Sequence, residues 1–219
     1  TSFRTIVNEA VADGILTFNP FWGYEPERPL REQKYLTAEE LELIMTTPLH
    51  NARLYIVRDL FLFSCYTGIS YGDMCLLTKE DLVTDENGTL WIRTSRKKTK
   101  VEYEVPLLEV PLHILNKYRD VEPNGKLLPM YCNSDVNKYL KTIAAKSGIN
   151  RRIVFHSARH TYATEITLSH GVPLETVSKM LGHTRVDTTQ IYAKVTDDKI
   201  NADTKRLDNK ISERFTIAI

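Results

Sequence analysis

The sequence predicts an α+β fold, mostly α-helical with a small antiparallel β-sheet. Apolar residues recur at helical spacing along most of the chain, in segments that end at Gly or Thr-Gly. One stretch, between residues 89 and 106, changes to two-residue alternation around a basic turn. No apolar run approaches the roughly 18 residues that a membrane span needs.

The chain opens with Phe3, Ile6, Val7, Ala10 and Val11 at helical spacing, and Gly14 can close that helix. Pro20, Pro26 and Pro29 then mark an extended linker. The expected organisation is therefore the end of a helical domain over 1–19, a linker over 20–34 and the main domain over 35–219. Thr37-Ala-Glu-Glu40 has the form of a capping box and starts a helix carrying Leu41, Ile44 and Met45. Ala52 to Tyr66 is a core helix, interrupted only by Arg58 and Asp59 and ended by Thr67-Gly68. A short helix is expected within Ile69 to Leu77, before a turn at Thr78 to Asp81.

Thr89–Thr94 and Val101–Pro106 then alternate as two strands, with Val101, Tyr103 and Val105 on one face. Ser95 to Lys100 is the tip between them. Helices follow over Pro111–Arg119, over Asp135–Lys146 (capped by Ser134) and over Ser157–Ser169, the last ended at Gly171. Pro173 suits the first turn of another, which closes at Gly182. A segment at Asp187–Lys194 carries Tyr192. A polar helix over Asp197–Lys210 and a strand over Phe215–Ile219 complete the chain.

Twenty-nine Lys and Arg against 28 Asp and Glu leave a net charge of +1, so bulk charge does not mark a nucleic-acid binder. Its distribution is more informative. The early part is acidic (Glu25, Glu27, Glu32, Glu39, Glu40, Glu42), whereas Arg93, Arg96, Lys97, Lys98 and Lys100 crowd the hairpin. Arg151, Arg152, Arg159 and Arg185 surround a His-rich region. Local patches of this kind bind phosphates where they converge. Cys65, Cys75 and Cys132 show no CxxC spacing and read as free thiols in a reducing compartment.

The chemistry concentrates in the last third: His156-Ser-Ala-Arg159-His160, Leu181-Gly182-His183, and Thr188-Thr-Gln-Ile-Tyr192, with Tyr192 nine residues after His183. His156 and His160 stand one helical turn apart, as metal ligands can. No Glu follows His156, however, and no third ligand stands out, so no metal or other cofactor is expected.

This series resembles the tyrosine recombinase (phage integrase) family over residues 35–195. His156-x-x-Arg159, the Leu-Gly-His motif and Tyr192 match in order. Thr67-Gly-Ile-Ser70-Tyr-Gly-Asp73-Met corresponds to the family's TGLRISEL box, and Lys98 to its β-hairpin lysine. The resemblance implies the family's catalytic-domain fold, with 1–19 as the end of its core-binding domain. It also implies strand cleavage in which Tyr192 attacks a DNA phosphodiester and forms a 3′-phosphotyrosine. Arg159 then clamps the phosphate oxygens, and His183 hydrogen-bonds the same phosphate. His156 assists proton transfer or binds phosphate. Lys98 protonates the leaving 5′-oxygen, and Asp73 and His160 give support. Lys97, Lys100, Arg151, Arg152 and Arg185 are the expected DNA-backbone contacts.

One departure matters, because the family's first arginine falls at Ser70, which carries no charge. Arg96, two residues before Lys98, is the expected substitute, with Arg93 second. The implied partners are double-stranded DNA attachment sites, three further copies of the chain in a recombining tetramer, and accessory DNA-bending or excision factors. The implied setting is the bacterial cytoplasm, on the nucleoid. Integration or excision of a conjugative transposon is the expected role. Two alternatives stay open: a type IB topoisomerase, and a DNA-binding regulator without catalysis. In the family the tail, about 196–219 here, packs on a neighbouring catalytic domain; packing on its own domain is the other expectation.

Overall fold

The computed structural model describes residues 3–24, 35–119, 125–192 and 197–212. The chain divides into two compact units, 1–33 and 34–219. In the first, α1 (Phe3–Ala12) buries Val7. Gly14 follows it with a positive φ of 72°. Residues 21–24, expected to be linker, instead fold back on this helix. Phe21 packs edge-on against Phe3 at 5.6 Å and touches Tyr24.

The second unit is built around α3 (Ala52–Thr67). Val57, Leu60, Phe61, Phe63 and Cys65 on this helix are fully buried. A helix apolar on all sides must be surrounded, and it packs against α2 (Ala38–Thr46), α5 (Glu109–Tyr118), α6 (Asn133–Lys146) and α7 (Phe155–Thr161). Its two interrupting charges are both satisfied. Asp59 accepts from Lys117 Nζ at 2.5 Å and Tyr118 Oη at 2.7 Å, and Arg58 donates to the Thr47 carbonyl at 2.9 Å.

The capping box at Thr37 is present, and Glu40 also holds Arg151 at 2.5 Å. Arg151 donates further to the Tyr35 carbonyl, and Leu36 N donates to Thr161 Oγ1 at 2.9 Å. The start of this unit is thereby stitched to residues 151–161.

The sheet has three antiparallel strands in the order β1 (Leu82–Thr84), β2 (Leu90–Ser95), β3 (Glu102–Pro106). The expected pair is β2 and β3. β1, three residues long with no period of its own, was not predicted; Asp85 fixes its turn by accepting from Asn87 N, Thr89 N and Trp91 Nε1. In β3, Tyr103 and Val105 are buried, and Val101 lies just outside the strand.

Two helical expectations need correction. α6 starts at Asn133 with Cys132 at the cap position, so Ser134 lies inside the helix. The predicted helix over Ser157–Ser169 is α7 followed by a seven-residue π-helix, Tyr162–Leu168. Thr167 supports that wider turn by donating to the carbonyls of Tyr162 and Ala163. After it come α8 (Leu174–Met180), the short α9 (Asp187–Gln190) and α10 (Asp197–Ser212). Arg206 of α10 lies against Gly171. Leu207 and Ile211 are exposed. The strand expected at Phe215–Ile219 falls outside the described residues. No helix among those described is long and apolar enough to cross a membrane.

Candidate active site

The site forms where α3 ends, α7 begins and the loop after α8 returns. Gly68 terminates α3 with φ of 70°. A Cβ there would sit 2.4 Å from Tyr162 Cδ1 and 2.8 Å from Leu181 Cδ2, so only glycine permits the approach. The closeness brings two backbone carbonyls onto Arg159. Its Nη1 donates to Gly68 O at 2.7 Å and its Nη2 to Leu181 O at 2.5 Å.

Arg159 is 2% exposed, and among the described residues no carboxylate lies within ion-pair distance of it. Burial, and then repulsion from Arg96, lower its pKa to about 10. It therefore keeps its charge at neutral pH, in a setting that favours an incoming anion.

His183 is the next member. Its Nε2 lies 2.9 Å from Arg159 Nη2, and its Nδ1 lies 2.8 Å from Thr189 Oγ1. A guanidinium only donates, so Nε2 accepts and the neutral ring carries its proton on Nδ1. Burial, then the charges of Arg159 and Arg96, lower the His183 pKa to about 4.

Tyr192 is 6% exposed and closes the set. Its ring stands edge-on to His160 at 5.0 Å and parallel to His183 at 6.4 Å. Burial raises its pKa, and the adjacent Arg159 guanidinium opposes that rise. His156, His160 and Arg159 share one face of α7 by their i, i+3, i+4 spacing. The rings of His156 and His160 meet edge-on at 4.9 Å. A cleft of about 490 Å³ is lined by His156, Arg159 and Ser70 together with Arg152 and Asn137.

Ser70 does not face this cleft as a bare vacancy. It caps α4 (Tyr71–Met74), and its hydroxyl donates to Asp73 Oδ2 at 2.7 Å. The same oxygen pairs with Arg96 Nε at 3.3 Å, while Asp73 Oδ1 accepts from Lys97 N at 2.9 Å. Arg96 lies across Gly182. A Cβ at Gly182 would fall 2.8 Å from Arg96 Cγ. Its Nη1 is buried with no hydrogen-bond partner among the described residues, as is Tyr103 Oη.

The other expected residues are less assembled. Lys97, Lys98 and Lys100 are exposed at the hairpin tip, and Lys100 adopts a φ of 58°. Arg93 pairs across the strands with Glu104 at 3.1 Å. Arg151 is taken up by Glu40, and Arg185 by Asp187 at 2.7 Å. Three participants escaped the sequence reading: Thr189 and the carbonyls of Gly68 and Leu181. The Thr-Thr doublet before Tyr192 was the available signal for Thr189. Carbonyl acceptors leave no side-chain signature.

A buried arginine, a neutral histidine bonded to it and a tyrosine ring stacked on that histidine, on a helical scaffold with a three-stranded sheet, define a class. Residues 34–199 match the phage integrase family, and the chain belongs to it: it is a tyrosine recombinase. The chain is 29% identical over 212 residues to a tyrosine recombinase XerC of Neisseria meningitidis, covering 91% of this chain and 68% of that protein. It is 30% identical over 186 residues to XerC of Neisseria gonorrhoeae, covering 80% and 59%. Among solved structures, the Tn1549 transposon integrase with a circular intermediate DNA aligns with a TM-score of 0.68 at 17% identity, over 93% of this chain and 76% of that one. A lambda integrase dimer on a COC′ core site gives 0.67 at 18%, over 89% and 74%. These two structures share the catalytic-domain fold.

Proposed function

We propose that this chain cleaves and rejoins DNA at specific sites to integrate or excise a mobile element. The observation that carries the reading is the mutual contact of Arg159, His183 and Tyr192, with Arg96 beside them. Tyr192 Oη attacks the scissile phosphorus, its proton passing toward His156. The P–O5′ bond breaks, and Lys98, brought down with its hairpin, protonates the departing oxygen. The phosphotyrosine conserves the bond energy, so rejoining needs neither ATP nor metal.

Arg159 stabilises the charge on the non-bridging oxygens. Arg96 takes the place of the arginine that Ser70 lacks. Its charge is oriented by Asp73, and its Nη1 has a donor to give. Asp73 and His160 support the site, and Arg152 and the exposed hairpin lysines track the DNA backbone. Recombination engages a tetramer on two attachment sites through a four-way junction. The Tn1549 integrase likeness favours a transposon as the mobile element.

The test is a nicked attachment-site duplex that traps the cleaved strand. A denaturation-resistant protein–DNA adduct is expected with the parent and not with Tyr192→Phe. DNA binding without an adduct would leave the regulator reading that Ser70 motivates. Relaxed circles with no recombinant product would favour the topoisomerase reading.

A further inference from the structure

His183 faces a conflict of roles. In the structure its Nε2 accepts from Arg159, which places the ring proton on Nδ1. To hydrogen-bond a phosphate oxygen, the same Nε2 must donate. The ring must therefore move its proton from one nitrogen to the other, or take up a second. A second proton is disfavoured where two arginines crowd the ring.

The group at Nδ1 decides which is possible. Thr189 Oγ1 lies 2.8 Å away, and Thr189 is 0% exposed. A carboxylate or carbonyl there would hold the proton on Nδ1, since each only accepts. A hydroxyl accepts from Nδ1–H and, after rotation about its C–O bond, donates to a bare Nδ1. Thr189 is thus compatible with both tautomers. It also sits on α9, three residues before Tyr192, whose backbone N donates to the Thr189 carbonyl at 3.0 Å. The residue that permits the exchange thereby lies on the segment that carries the nucleophile.

We propose that Thr189 is a positioning residue that lets His183 exchange tautomers. Without DNA, His183 is protonated on Nδ1 and accepts from Arg159. With a phosphate in the cleft, Arg159 turns its Nη2 donor to the phosphate, Nε2–H donates to the same group, and Thr189 donates to Nδ1. Nε2 takes a proton from solvent and Nδ1 releases one to it, so the ring is neutral before and after the exchange. This rests on the strand-cleavage reading above.

The test reads the ring directly. ¹⁵N NMR of labelled histidine is recorded on the Tyr192→Phe chain, free and saturated with the uncleaved attachment-site duplex. The expected result is protonation at Nδ1 in the free chain and at Nε2 in the complex. An unchanged tautomer, or an imidazolium in the complex, overturns the proposal. Thr189→Val keeps the shape and loses both hydrogen-bonding modes; Thr189→Ser keeps both modes. Adduct formation in a single turnover should fall at least about tenfold in Thr189→Val, with duplex affinity held within about twofold, and recover in Thr189→Ser. A Thr189→Val chain that cleaves like the parent also overturns it. A parent chain that forms no adduct sinks the strand-cleavage reading instead, and the tautomer comparison still decides the proposal because it needs only binding.

Discussion

Arg159 keeps its charge in a buried place because two main-chain carbonyls take the role of a counter-ion. A lysine would keep the charge and lose the fork, since one ammonium cannot span acceptors on separate loops. Arg159→Lys is expected to lower adduct formation by at least about a hundredfold and to cost about 1–3 kcal/mol of stability, measured by strand trapping and urea denaturation. The substitute role of Arg96 has its own test. Arg96→Ala should cut cleavage by about a hundredfold or more, and Arg93→Ala, on an exposed strand pair, by less than about threefold. If Arg96→Ala cleaves like the parent and Ser70→Arg changes nothing, the substitution is wrong.

His183 adds a pH dependence. Its folded pKa, about 4, lies below the ordinary value of 6.5. Between those values the unfolded chain binds the extra proton, so its contribution is full above pH 6.5 and is lost as pH falls toward 4. Because the ring is half-exposed, the loss is discounted to on the order of 1–2 kcal/mol. Urea melts at pH 7 and pH 4 should show a smaller pH effect in His183→Gln than in the parent.

The motif residues were legible because phosphate chemistry restricts residue type and spacing together. Thr189 was not, since a threonine near a helix is ordinary until its partner is known.

At the scale of elements, the junction at Gly68 is the most constrained. An alanine there meets both the left-handed backbone and the Tyr162 ring, so Gly68→Ala should cost about 2–5 kcal/mol in chemical denaturation. The same position shows which elements the sequence announces. α3 was legible from its apolar run and Thr-Gly stop, and α2 from its capping box. The π-helix was not, because periodicity within seven residues does not separate 3.6 from wider turns; its cause is tertiary, with Tyr162 buried beneath Gly68. β1 escaped for a similar reason: three residues carry no alternation, and pairing with β2 is what makes them a strand. The cap of α6 moved because Ser134 is only one of several polar residues at that start.

Across the whole molecule, near-neutral charge coexists with a cleft edged by Arg152, His156 and Arg159. Binding should therefore be strongly salt-dependent despite the net charge of +1. Raising salt from about 50 to 200 mM is expected to weaken duplex affinity by at least about tenfold, measured by fluorescence anisotropy. The architecture of the second unit was legible in outline, because its helices are long and its strands alternate. How distant segments meet was not, since the contacts depend on a few side chains whose partners lie far along the chain.

The stitching of Tyr35, Leu36 and Glu40 to residues 151–161 illustrates this distance. It also orders events in time. A ribosome releases residue 35 long before residue 151, so α2 emerges with its capping carboxylate still lacking a guanidinium and Leu36 still lacking its hydroxyl. The N-terminal edge of the second unit must wait, loosely held, until the helix bearing His156 and Arg159 arrives. On the nascent chain, the opening of this unit is thus completed only when the helix of the candidate site has been made.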